Sequence, residues 1–332
     1  MRERLNALDG LRAVAILLVV GSHFISHTIP GGTGVTLFFF ISGFIITKVL
    51  LEDSRLAPFY IRRFFRLAPT LLVLLVIVFT FNPFNAGDVA SVLLYYMNYH
   101  DFQTPGLDQT WSLAIEEHFY LIFPTLVLLL SVKRVEQVLL FFIVASLAWR
   151  LALVGLDEVA RIHRSTDTRL DSIAFGCLLA VLAALPERRR IVDMLASRWG
   201  QIAGWAVLLG CFVVRDERFR ETARYSLQGL AFMPIFAALF LRPGTAPAWL
   251  RKSLEWKPTV YVGTISYSLY LYHGVGAVFG VGFGVDGLAI GVAATLASYY
   301  FVEVPTRRLG HRLAARHVSR PLPTSTTKLP LP

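Results

Sequence analysis

Apolar runs of about twenty residues, the length at which a helix crosses a bilayer, recur along the whole chain with only short polar segments between them. Repetition of that kind restricts the chain to an all-α, polytopic transmembrane helix bundle. With 55% hydrophobic residues and a mean hydropathy of +0.58 over 332 residues, it is far more apolar than a soluble domain requires. Windowed reading gives about ten spans, near residues 11–29, 34–51, 67–82, 112–131, 136–154, 170–185, 200–214, 226–241, 260–281 and 285–303. Residues 1–310 are expected to form one membrane domain, and 311–332 a short, basic, Pro-rich, disordered tail.

Charge sets the orientation. With a cytoplasmic N-terminus, inner segments hold about 23 of the 32 Lys and Arg and outer loops about 7, the positive-inside asymmetry. The segment Pro83 to Thr110 has no Lys or Arg but carries Asp88, Asp101 and Asp108, which places it outside and both termini in the cytoplasm. The net charge of +10 is thus a topology signal spread over many loops beside lipid; membrane lipids are expected partners and nucleic acid is not. The first run follows "MRER" but holds Arg12 and lacks a small-residue cleavage site, so it reads as a retained helix. Cys177 and Cys211 both lie inside apolar runs, where a thiol behaves as a small hydrophobe.

Chemistry must come from the few polar groups in the spans. Arg12 and His23 are eleven residues apart in "LDGLRAVAILLVVGSHF", about 16 Å of rise and about 20° of rotation, so both project from one helical face. Read singly, Arg12 is a snorkelling residue and His23 a hydrogen-bonded core residue. Asp9 suits the macrodipole of a first helical turn. "TWSLAIEEHFYLIFP" puts Glu116 and Glu117 about one and a half turns into the fourth span, at the apparent depth of His23. A carboxylate orienting an imidazole raises its basicity, and Glu116 is the favoured partner. In "YIRRFFRLAP", Arg62, Arg63 and Arg66 are ordinary inner anchors or, with Arg62 and Arg66 i,i+4 on one face, a phosphate site.

Arg169 and Asp171, at the outer start of the sixth expected span, read as an interfacial cap or ion pair or as part of a site. His273, with Tyr267 and Tyr270 below it, lines the same cavity as His23 or belongs to an aromatic belt. Glu303 is expected to pair with Arg307. His23 and His27 have the i,i+4 spacing of a metal pair but no third ligand, so no metal is expected.

In this order, "LDGLRAVAILLVVGSH", "TGVTLFFFISGFIIT", "FYIRRFFRLAP", "TWSLAIEEHFYLIFP", "TRLDSIAFGCLLA", "GTISYSLYLYH" and "FVEVPTRRL" resemble the integral-membrane acyltransferase-3 family, which O-acylates bacterial surface polysaccharides and related acceptors. The resemblance implies essential roles for Arg12 and His23, prefers Arg63 and Arg66 over Arg62, and singles out Trp111, Ser112, Glu116 and Glu117, with Ser42 and Gly43. It also adds the expectation of a bacterial cytoplasmic (inner) membrane. Two departures stand out. The family's aspartate before "LFF" is Thr36 here, and "GVG" follows His273 in place of a Trp-rich ending. Longer relatives carry an added hydrolase-like domain, which this chain is expected to lack.

The expected reaction moves an acyl group, acetyl first of all, from cytoplasmic acyl-CoA to a hydroxyl of an exported or lipid-linked glycan. Arg12, Arg62, Arg63 and Arg66 would take the donor phosphates. His23 would act as base or acyl carrier with Glu116 or Glu117. Ser42, Tyr267 and Tyr270 are oxyanion-donor candidates, and Trp111 and His273 acceptor-side residues. The alternatives are a small-molecule glycoside or lipid acceptor, or a proton-coupled transporter or flippase, since carriers also use intramembrane Arg, His and Glu.

Overall fold

The structure is a computed structural model that describes residues 2–156 and 161–318, and among them there is no strand. The first half holds α1 (Arg2–Phe24), α2 (Gly31–Glu52), α3 (Leu56–Phe81), the short α4 (Ala86–Leu93), α5 (Thr110–Leu129) and α6 (Val132–Gly155). α7 (Thr166–Ala184), α8 (Arg189–Ala196), α9 (Arg198–Val213), α10 (Glu217–Glu221) and α11 (Ala223–Phe236) follow. The chain ends in α12 (Ala248–Leu254), α13 (Lys257–Thr264), α14 (Ser266–Tyr272), α15 (Val285–Ser298) and α16 (Val304–Val318).

Among the described residues, seven helices are long and apolar enough to cross a membrane. The other three expected spans are helical too, but short or broken. α7 bends by 106° into the Pro186–Ala196 segment, α9 has 16 residues, and the expected span 260–281 is α13, α14 and a 3-10 run from His273 to Phe279. The last helix runs on through a π turn into α16, so the expected tail begins helical; its remainder, 319–332, lies outside the described residues.

The lipid-facing side is visible in what stays exposed: Leu140, Phe141, Val144 and Leu151 of α6, Leu121 and Ile122 of α5, and Leu72 and Val76 of α3. Water would not tolerate so much contiguous apolar surface, whereas lipid does. This is a multi-pass membrane protein. Inside, α2 and α7 cross with Gly43 against the carbonyl of Ile173 and Gly176 against that of Phe40, so close that a Cβ at either glycine would strike backbone. Phe40 packs on Phe236 of α11, ring centres 4.5 Å apart, in a cluster built on α1, α2, α5, α7 and α11. A smaller cluster joins Leu71, Leu74 and Val78 of α3 to Leu271, Tyr272 and Val275.

Several charges inside the bundle are paired. Arg150 of α6, fully buried, meets Asp171 of α7 through two hydrogen bonds of 3.0 and 2.6 Å, and Ser226 donates to the same carboxylate at 2.6 Å. The expected Arg169–Asp171 pair is therefore absent: the two lie on different sides of α7, and Asp171 belongs to Arg150. Glu303 does accept from Arg307, at 3.3 Å, and from Ser268, at 2.7 Å. Asp9 is not in a first turn, because α1 starts at Arg2; it takes the Arg12 guanidinium at 2.7 Å instead.

Candidate functional site: two cavities sharing a wall

A cavity of about 300 Å³, the inner one on the topology expected from the sequence, opens where α1, α2, α3, α5, α14 and α16 meet. Arg12, Arg62, Arg63, Arg66 and Arg307 line it, with His311, Ser42, Glu116, Tyr120 and Tyr267. The three arginines of α3 differ in their partners. Arg63 Nε donates to Glu117 Oε1 at 2.8 Å, its terminal nitrogen lies 3.5 Å from Glu116 Oε2, and the guanidinium sits 3.3 Å over the Tyr120 ring. Tyr120 donates to Ser42 Oγ at 2.6 Å, and Ser42 donates to Glu116 Oε1 at 3.3 Å, which closes the network. Arg62 and Arg66 make no ion pair among the described residues, and Arg66 Nε is buried with no hydrogen-bond partner. A buried guanidinium nitrogen left unpaired beside a cavity fits an oxyanion guest.

A second cavity of about 910 Å³, the outer one on that expected topology, is lined by His23, His27, Trp111, His163, Arg169 and His273, among others. His23 Nδ1 is 2.9 Å from the Val19 carbonyl and His273 Nδ1 is 2.7 Å from that of Tyr270. A carbonyl only accepts, so in each neutral ring Nδ1 carries the proton and Nε2 keeps its lone pair. The two rings lie 5.0 Å apart, and Phe283 stacks on His23 at 5.2 Å. Trp111 meets Phe39 and His163 edge-on. Burial lowers the basicity of His163, which sits in the segment before α7. Among the described residues, only Val35 and Tyr270 line both cavities. The Tyr270 hydroxyl is fixed between Ser112 Oγ at 2.7 Å and the Gln109 carbonyl at 3.1 Å.

The family model described as an acyltransferase domain matches residues 5–302. The chain belongs to that acyltransferase family. It is 32% identical over 306 residues to the peptidoglycan O-acetyltransferase OatA of Listeria monocytogenes, covering 82% of this chain and 49% of the relative. The O-acetyltransferase OatA of Staphylococcus aureus is 31% identical over 94% of this chain and 58% of its own length. A putative O-acetyltransferase of the same organism is 29% identical over 91% of this chain and 57% of its own length. The chain thus spans about half the length of the curated relatives it matches. No solved structure gives a significant match.

Against the acyltransferase expectation, the geometry both gathers and separates residues. Arg12, Arg62, Arg63 and Arg66 share the inner cavity, and His23, Trp111 and His273 the outer one. The expected contact of His23 with Glu116 or Glu117 is not formed, because both carboxylates are held by Arg63. Depth counting failed for a definite reason. It took Thr110 to lie at the membrane surface, whereas Leu107, Gln109 and Thr110 are buried and Gln109 donates to the Leu271 carbonyl at 2.6 Å. α5 starts inside the bundle, and about 9 Å of further rise carries Glu116 past Tyr270 into the inner cavity. Ser42 likewise faces Glu116 rather than His23, and Tyr267 spends its proton on the Leu67 carbonyl at 2.9 Å. Of the three oxyanion candidates, only Tyr270 reaches both cavities. Sequence reasoning missed Arg307 and His311 as cavity residues, although the i,i+4 spacing of those two on one helix was a usable signal.

Proposed function

We propose that this chain transfers an acyl group, acetyl first of all, from cytoplasmic acyl-CoA to a hydroxyl of an exported or lipid-linked glycan. One observation carries the reading: an arginine-lined cavity with an unpaired guanidinium and a cavity with two free imidazole Nε2 atoms share the Tyr270 and Val35 wall. Arg62, Arg66 and Arg12 take the donor phosphates, while Arg63, already neutralised, braces α3 against α5. The pantetheine arm brings the thioester past Tyr270 toward His23. There the acceptor hydroxyl gives its proton to His23 Nε2, its oxygen attacks the thioester carbon, the C–S bond breaks, and the thiolate leaves to take up a proton. In the two-step form, Nε2 attacks first and the acyl-imidazole is then opened by the acceptor. His273, whose Nε2 also keeps its lone pair, accepts from a neighbouring hydroxyl of the glycan, and the proposed reaction calls for no metal.

The membrane is the bacterial inner membrane, crossed ten times with both termini in the cytoplasm. An even count puts Arg12, the α3 arginines and Arg307 on one side, as the basic loops require. Purified protein in nanodiscs with radiolabelled acetyl-CoA and peptidoglycan glycan strands tests the reading. His23→Ala should lower transfer about 10²–10⁴-fold, the range for loss of a positioned base, with unchanged donor binding. Wild-type-like transfer by that variant refutes the assignment.

A further inference from the structure

Arg169 is 1% exposed, lines the outer cavity, and has no carboxylate within ion-pairing distance among the described residues. Its guanidinium donates only to neutral acceptors, Thr36 Oγ1 at 2.9 Å and the His163 carbonyl at 3.0 Å. Its Nε is buried with no partner, and its face lies 3.8 Å over the Tyr225 ring. Arg150, on the adjoining helix and just as buried, shows how this fold treats a structural cation: it supplies a bidentate carboxylate. Arg169 has been denied one. Arg215, Arg220 and Arg224 line the same cavity, Arg224 Nε is also buried and unpartnered, and Asp108 is the one acidic residue among the described lining. The lining of the cavity that holds His23 and His273 therefore sets four arginines against one aspartate among the described residues.

We infer that the acceptor is anionic, and that Arg169 and Arg224 bind a carboxylate or phosphate close to the hydroxyl that is acylated. The inference rests on the reading above, in which this cavity holds the acceptor. An oxyanion takes the guanidinium N–H groups that Thr36 Oγ1 and the His163 carbonyl leave unused, a charge-assisted contact stronger than one between neutral partners. Arg169 is a binding and positioning residue here, and it takes no proton in the reaction.

The test measures binding without donor, so that it stands apart from catalysis. Full-length protein in nanodiscs is titrated calorimetrically with a peptidoglycan tetrasaccharide bearing lactyl carboxylates, with its carboxyl-reduced neutral form, and with that neutral form linked to a prenyl diphosphate. The expected result is at least tenfold tighter binding of an anionic form. Thr36→Asp, which hands Arg169 a carboxylate at the position where the family resemblance leads one to expect it, should abolish that preference and leave the neutral tetrasaccharide unchanged. Arg169→Gln should do the same. Tight binding of the carboxylate form alone assigns the anion to the glycan, and of the diphosphate form alone to the lipid carrier. Equal affinity for all three probes, or a preference that survives both variants, overturns the inference. Anion preference without acetyl-CoA-dependent product instead retires the acyl-transfer reading and leaves this one standing.

Discussion

Arg63 and Arg66 are one turn apart on α3, yet two carboxylates and an aromatic face hold the first while the second has a buried nitrogen with nothing to bind. Residue type and spacing marked both as phosphate ligands; only the packing of α5 against α3 tells them apart. Arg66→Gln should therefore raise the Michaelis constant for acyl-CoA roughly ten- to a hundredfold, the equivalent of losing one charge-assisted hydrogen bond of about 1.5–3 kcal/mol. Steady-state kinetics with varied donor would register it, and an unchanged constant would return Arg66 to the role of topology anchor. The relation of Arg12 to His23 was legible, since one uninterrupted helix fixes both the rise and the face between them. Their link to Glu116 was not, because depth in the membrane depends on where a neighbouring helix begins, and the buried approach of Leu107 and Gln109 has no periodic signature.

At the scale of elements, long apolar helices announced themselves, and the broken ones did not. The sequence from 257 to 280 has the hydropathy of a span, but its polar groups and glycines divide it into α13, α14 and a 3-10 run, the last of which carries His273 into the outer cavity. The α6–α7 contact depends on the buried Arg150–Asp171 pair. Arg150→Met leaves Asp171 buried without its cation and should cost about 3–5 kcal/mol, while Arg150→Met with Asp171→Leu should recover much of the loss. Thermal unfolding of the single and double variants, followed by tryptophan fluorescence, separates the two.

The outer segment has its own clasp. Buried Asp88 accepts from His100 Nε2 at 2.8 Å, from the Thr104 amide at 2.9 Å and hydroxyl, and from the Gln103 amide at 3.3 Å. Burial alone would raise its pKa, but those hydrogen bonds outweigh burial and hold it below the ordinary 3.8. A folded value below the unfolded one means that the stabilisation is complete above pH 3.8 and is lost as pH falls through the lower folded value. Wild type should accordingly exceed Asp88→Asn in melting temperature at neutral pH, with the gap closing below pH 3.8. A gap constant with pH would show that the carboxylate charge contributes nothing.

For the whole molecule, the wall that the two cavities share sets a requirement unrelated to catalysis. On the proposed topology the two recesses enter from opposite faces of the membrane, and the barrier between them is thinnest at Val35 and Tyr270, which line both. An energised membrane cannot tolerate a proton leak there. Phe38, edge-on to Tyr270 at 6.0 Å, and the Ser112 and Gln109 contacts hold Tyr270 in place. Tyr270→Ala in liposomes loaded with a pH-sensitive dye should collapse an imposed pH gradient faster than wild type, even with no acyl donor present. The residue past which the proposed reaction brings the thioester would then also be the electrical insulation of the membrane at its thinnest point.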